Sequence, residues 1–370
     1  MRGQIHRSVN GLAKLKHRAK WSTVVIQKKS GWALAALAIA SLLGVWWLVP
    51  QDPDEARWED YLSRIARLSR QELPARAPLP LLAYPGAREL RLPLPEHRVD
   101  LLDYLELRHC GLMELISQRN SALGKLQADS LRLSHELAFI QRARTCLEEQ
   151  TLDDSELVEV MSQVVADKEA ALPALYWNVL TASEEVRRFF SQSPSAGVGD
   201  TSAALQSLQR LSHTLVDHKQ SGALTPLNLE PLLETLARNQ SGGHLLRRMA
   251  LSLRELERGN RLLEGIDAQR LCPRNQASTR ARRLRNVLDN VWGPKVQKAL
   301  AESRRQRQSL ADSLQQMNGL LDSPPAVFTR WQQHYFGPDG VESRMEQALE
   351  RHVDLWQEHL RACGLMPGKP

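Results

Sequence analysis

The sequence predicts an all-α protein: an irregular multi-helix bundle behind one N-terminal transmembrane helix, with a Pro-rich extended strap along the bundle. Three observations predict it. Gly31 to Val49 (GWALAALAIASLLGVWWLV) runs nineteen residues without a charge. Such a helix is about 28 Å long, close to the roughly 30 Å hydrocarbon core of a bilayer. Most of the chain beyond Pro50 repeats apolar residues at i, i+3, i+4 and i+7, one face of a helix. Residues 73–96 carry six prolines, which excludes regular helix and favours extended backbone.

Residues 1–30 form a basic tail with eight Lys or Arg and no Asp or Glu. That imbalance predicts a cytoplasmic tail, a signal anchor at residues 31–49 and a translocated body. Trp46 and Trp47 suit the headgroup boundary, and Pro50 ends the helix. A signal peptide cleaved near Ala38-Ile39-Ala40 and a buried core helix are the alternatives. The formal charge of +7 belongs to the tail: without its eight positives, 41 Lys and Arg face 42 Asp and Glu. A near-neutral body argues against a nucleic-acid partner. All four cysteines, Cys110, Cys146, Cys272 and Cys363, fall on the translocated side, where an oxidising compartment favours two disulfides. Sequence order suggests Cys110–Cys146 and Cys272–Cys363, one of three possible connectivities.

Residues 50–96 hold the first helix and the strap. Asp52 or Asp54 can cap a helix over 54–72, with Trp58, Tyr61, Leu62, Ile65 and Leu68 on one stripe. Leucines and Tyr84 between the strap prolines make it too apolar for a free linker, so it is expected to lie on the body, with at most a short β piece near Glu89–Leu92. An N-terminal helical lobe, 97–193, begins with a helix over 97–118 that Gly111 could bend. Residues Arg119 to Lys125 read as a helix end, because Asn and Gly tolerate positive φ. A helix over 130–149 follows; a simple hairpin would set Cys110 opposite residue 138 and not Cys146. The segment 153–192 has capping residues at Asp153-Asp154 and a kink or break expected at Pro173. Ser191 to Ser202 reads as a linker to a C-terminal helical lobe, 203–370. Its helices are expected over 202–219, 227–239, 243–269, 278–321, 325–336 and 340–362, with Pro294 among the breaks. Val296, Leu300, Leu310, Leu314, Met317 and Leu321 form a seam interrupted by Ser303 and Arg307, expected to pack within the chain.

No sequence signature of catalysis stands out. Glu106 and His109 share a helix face, but a di-iron bundle needs a second such pair and two further glutamates. His352 and His359 are two turns apart, too far to share a metal, and no zinc spacing, nucleophile elbow or phosphate loop occurs. Neither a cofactor nor a metal is expected. Arg-rich stretches such as Thr279 to Arg285 read as solvated helix faces.

The ordered set Tyr84-Pro85, Arg88-Glu89-Leu90, LLDYLELRHCGL (101–112), QRNSALGK (118–125), Ser130, His135-Glu136 and Cys146 resembles a family of gammaproteobacterial envelope proteins known only as a domain of unknown function. Cys272-Pro273, Asn286-Val287 and Cys363-Gly364-Leu365 are similar too, so the resemblance spans about residues 54–366. Members look like lipoproteins with a Cys closing the signal segment; this chain has Leu43-Gly44-Val45 there. The resemblance implies no activity or cofactor. Its polar motif matches Arg119, Asn120, Ser121, Gly124 and Lys125, read as a turn held by Asn and Ser hydrogen bonds, with a binding site as the second reading. The expected function is non-catalytic binding or scaffolding in the envelope of a bacterial inner-membrane protein, touching the bilayer through residues 31–49 and an envelope protein through its periplasmic body. The alternatives are a hydrolase or transferase with carboxylates around Glu106, His109 and Glu136, and a lipid-binding or chaperone-like protein with an apolar groove.

Overall fold

The fold comes from a computed structural model that describes residues 52–96, 107–150, 152, 154–192 and 201–366. The basic tail, the 31–49 span, residues 97–106 with Glu106, and most of the 191–202 linker lie outside the described residues, as does the His109 side chain. The chain divides into Met1–Asp52 and Pro53–Pro370, and the second unit is the body. Among the described residues all regular structure is helical, and no helix is long and apolar enough to cross a membrane.

Helix α1 (Pro53–Ser69) buries Trp58, Tyr61, Leu62 and Ile65, the stripe read from its spacing. It stops where Arg70 turns left-handed (φ 61°) and the Gln71 amide donates to the Ala66 carbonyl at 3.0 Å. This is a six-to-one closure that satisfies an end carbonyl. The strap then runs extended, with Leu79, Leu81, Leu82, Tyr84, Leu92 and Leu94 packed on the core. The short β piece expected near Glu89–Leu92 is instead one helical turn, α2 (Ala87–Leu90). Among the described residues there is no strand for it to pair with. The Glu89 carboxylate accepts from the Gly86 amide at 2.9 Å, which favours the turn.

Side chains take the place of a sheet in holding the strap. The Arg258 guanidinium donates to the Pro74 carbonyl (2.8 Å), and His334 donates to Pro80 (2.9 Å). The Tyr335 hydroxyl accepts from the Leu82 amide and donates back to its carbonyl, each at 2.8 Å. Trp177 donates to the Leu90 carbonyl (2.9 Å). The Asn178 amide mimics a strand edge, accepting from Leu92 N–H (2.7 Å) and donating to its carbonyl (2.9 Å). A buried backbone must find such partners somewhere.

A 3₁₀ turn (Leu107–Cys110) and α3 (Leu112–Asn120) meet at Gly111, whose φ of 69° breaks the expected 97–118 helix. After α4 (Ala122–Lys125) comes α5 (Asp129–Glu148). The break and α4 offset the hairpin, so Cys110 reaches Cys146 with 5.4 Å between Cα atoms. Helix α6 (Ser155–Trp177) is not ended by Pro173; it runs on into a π segment, Asn178–Ala182. Asp154 caps it through the Glu156 amide, and Ser183 caps α7 (Glu184–Phe189).

Beyond the linker come α8 (Thr201–Ser221), α9 (Glu230–Ala237), α10 (Ser241–Glu264) and α11 (Ala268–Leu271). Then α12 (Thr279–Val287) passes through a π segment, Leu288–Gln297, into α13 (Lys298–Asn318). Pro294 therefore widens this helix without breaking it, since a π register tolerates the missing donor. Helices α14 (Ala326–Phe336) and α15 (Val341–Ala362) close the chain. The α13 seam is buried, and so are its interruptions: Arg307 donates to Ser303 Oγ at 2.8 Å and to Glu342 at 3.1 Å. Cys272 and Cys363 lie with Cα atoms 5.2 Å apart.

One large core joins Trp58, Trp177, Phe189, Leu208, Leu246, Leu310 and Trp356, so both stretches called lobes contribute to it. A satellite core joins Leu107, Cys110, Phe139, Ile140, Cys146, Leu157 and Met161 between the 3₁₀ turn, α5 and α6. Leu172 and Leu224 pack against both.

Candidate functional site

Ser121 builds the polar turn. It ends α3, its amide donating to the Ser117 carbonyl (3.0 Å), and it caps α4, its hydroxyl accepting from the Gly124 amide (2.9 Å). Arg119 donates to the Gly124 carbonyl (2.7 Å), and Ser121 Oγ to that of Gln118 (2.8 Å). A Cβ on Gly124 would meet the Gln118 carbonyl at 2.0 Å, so glycine is set by crowding; its φ and that of Asn120 are not positive, contrary to expectation. Asn120 is exposed; Ser121 and Arg119 close the turn in its place. Outside it, Leu123 and Leu126 are 83% and 85% exposed, flanking the exposed Lys125. Leu131, at the start of α5, is 47% exposed.

Glu136, the described member of the sequence-proposed carboxylate group, is buried and ion-paired with Lys168, with Arg132 3.9 Å away. Burial, and then the Arg119 charge, lower the Arg132 pKa. The hollow between these groups, Leu94 and Leu172 has a volume of about 20 Å³, room for about one water. His135 donates to the Leu115 carbonyl at 2.8 Å.

Two polar nodes that the sequence did not announce sit in the large core. In the first, Asn260 donates to the Ala348 carbonyl (2.9 Å), so its oxygen accepts from His352 Nδ1–H (2.8 Å). His352 Nε2 then accepts from the Tyr61 hydroxyl (2.6 Å), which itself accepts from Trp356 Nε1–H (2.8 Å). The Trp292 ring, from the second π segment, covers His352 at 4.5 Å. Burial drives the His352 pKa down to about 3 and the Tyr61 pKa well up. The chain of hydrogen bonds looks like a proton relay, but Tyr61 and His352 are fully buried, so no substrate reaches them. It positions helices. The only sequence signal was that His352 falls on the buried stripe of α15; His359, on the same face, donates to the Leu263 carbonyl at 2.9 Å.

In the second node Glu255, 2% exposed, is held between Arg254 (2.7 Å) and Arg258. Around it Arg76 pairs with Glu59 (2.8 Å) and Arg248 with Asp54 (2.8 Å), tying α1, the strap and α10 together. Among the described residues no cluster of His, Cys, Asp and Glu is placed to hold a metal ion.

An open cleft of about 440 Å³ lies between the strap at Tyr84–Pro85 and α7, walled by Glu184, Arg187, Arg188, Phe190 and Gln192. Tyr84 stacks on Phe190 (centroids 4.6 Å apart, planes at 11°), and its hydroxyl donates to the Thr181 carbonyl at 3.1 Å. Burial raises its pKa, opposed by the nearby Arg187 charge.

Among the described residues, fold and site together define a helical bundle with two cysteine pairs at disulfide distance, buried polar nodes, an exposed leucine turn and an open arginine-walled cleft. The family described as "Protein of unknown function (DUF3080)" matches residues 58–367, and the chain belongs to it. No curated protein and no solved structure matches the chain.

Proposed function

We propose that this is a membrane-anchored envelope protein that binds another envelope protein without chemistry of its own, through the turn at Arg119–Leu126. Residues 31–49 would lodge in the inner membrane and the helical body would face the periplasm. The observation that carries the reading is the pair Leu123 and Leu126, 83% and 85% exposed on a turn stiffened by its own hydrogen bonds. Exposing two leucines costs hydration free energy in the free protein, and a fixed apolar tip beside Lys125 suits a partner's pocket. The charged groups near Glu136 are engaged with one another around a hollow too small for a substrate, which supports binding over catalysis.

A photo-crosslinking amino acid at position 123 or 126 of the full chain, in intact cells, tests this. A discrete adduct is expected there, lost when the other leucine becomes Asp, and absent from control positions Val160 and Val353. No adduct at the turn, or the same adducts at all four positions, would sink the reading.

A further inference from the structure

We propose that the cleft between the strap and α7 binds an oxyanion, carboxylate or phosphate, carried on a flat or apolar body. Arg187 and Arg188 would grip the anion while Tyr84, backed by the buried Phe190, supports the body. A volume near 440 Å³ lies within the range of small-ligand sites, about 300–1,000 Å³. Arg187 and Arg188 have no ion pair among the described residues, although Glu184 stands one turn earlier on the same wall. Arginines in a last helical turn ordinarily just offset the helix dipole. A six-residue helix has little dipole to offset, and the dipole gives no reason for both to line a hollow that Tyr84 lines as well.

The walls are fixed before any ligand arrives. The Gln192 amide donates to Tyr335 Oη (2.7 Å) and to the Leu82 carbonyl (3.2 Å), clamping the end of one wall to the strap. Tyr84 is held edge-on against Trp331 with centroids 4.8 Å apart. Guanidiniums form planar, charge-assisted hydrogen bonds to oxyanions, and a preformed site loses little entropy on binding.

Calorimetric titration of the detergent-solubilised full chain with phenyl phosphate, benzoate and phenol tests the proposal. One or both anions should bind saturably, and phenol at least about tenfold more weakly. The Arg187→Gln/Arg188→Gln double variant should lose about tenfold or more in affinity with a little-changed melting temperature, since Arg188 is exposed and the half-buried Arg187 has no ion pair to lose among the described residues. Glu184→Gln, which removes the opposing carboxylate, should tighten binding severalfold. The tighter of the two anions names the natural group. Equal binding of phenol, an undiminished double variant, or no saturable binding of either anion would overturn the proposal.

Discussion

The large core and the satellite core each contain one cysteine pair, yet they differ in size and in where their charged groups sit. The large core encloses whole polar networks: Tyr61–His352–Asn260, linked through both ring nitrogens of His352, and Arg254–Glu255–Arg258, in which both guanidiniums donate to one carboxylate. Among the described residues the satellite core joins twelve apolar or Cys side chains, and its charged pair sits at the edge, Lys168 lying over the Phe139 ring at 4.9 Å while it pairs with Glu136; α3 leads from this core to the exposed leucine turn. A core so small buries little apolar surface per residue ordered and depends more on its covalent staple. The large core is tied together by directional polar contacts as well as apolar packing, and can leave its outer wall open as a cleft. Rigidity thus has a different source beneath each of the two surfaces proposed to bind.

The sharpest way to break this comparison is Glu255→Leu, which leaves two buried guanidiniums without their carboxylate. A loss of about 5 kcal/mol is expected in urea unfolding; less than about 1 kcal/mol would mean the node is not essential to the large core. Next come the staples. The chain-entropy model gives about 4.6 kcal/mol for the pair Cys272–Cys363 and about 3.8 kcal/mol for Cys110–Cys146. Replacing Cys110 and Cys146 by Ala should release hydrogen-exchange protection in α5 and the first half of α6 while α10 and α15 stay protected. Uniform loss across all four helices would merge the two cores into one cooperative unit.

Acid should also separate them. His352 has a folded pKa of about 3 against 6.5 unfolded, so the unfolded chain binds the extra proton first. Its contribution is whole above pH 6.5 and falls as pH drops towards 3, a loss of about 3 kcal/mol between pH 7 and pH 4. The His352→Gln variant should show a flatter decline of stability over that interval; an equal slope would remove His352 from the account. The smallest effect belongs to the satellite's tip. Ser121→Ala deletes an N-cap and should cost about 1 kcal/mol, seen as faster amide exchange in α3 and α4 alone.

Much of the fold was legible because it is written locally. The α1 stripe, the Asp154 cap, the α13 seam and the bend at Gly111 each follow from residues within a few positions of one another. The cysteine order was readable as well, although simple hairpin geometry pointed the wrong way until α4 supplied the offset. In the polar motif, Arg119, Ser121 and Gly124 proved to build the turn, while Asn120 and Lys125 face solvent beside leucines that the motif reading passed over. Pro294 misled, and Pro173 did not end its helix: a lone proline signals a missing donor, but whether the helix breaks or runs on depends on what packs against it.

The residues of this chain, read alone, were enough to show where most helices form, which faces they bury, that the proline-dense stretch 73–96 is mainly extended, and which cysteines are neighbours in order; the turn Ala87–Leu90 was not among them. Only the tertiary structure decided that the strap is tied down by Arg258, Tyr335, Trp177 and Asn178, that His352 is sealed inside, and that Tyr84 meets Arg187 at an open cleft. Helical hydrogen bonds link residues four apart and leave a periodic trace. The ties of the strap link a backbone carbonyl to a side chain about 90 to 250 residues away, and such a pairing leaves no period to read.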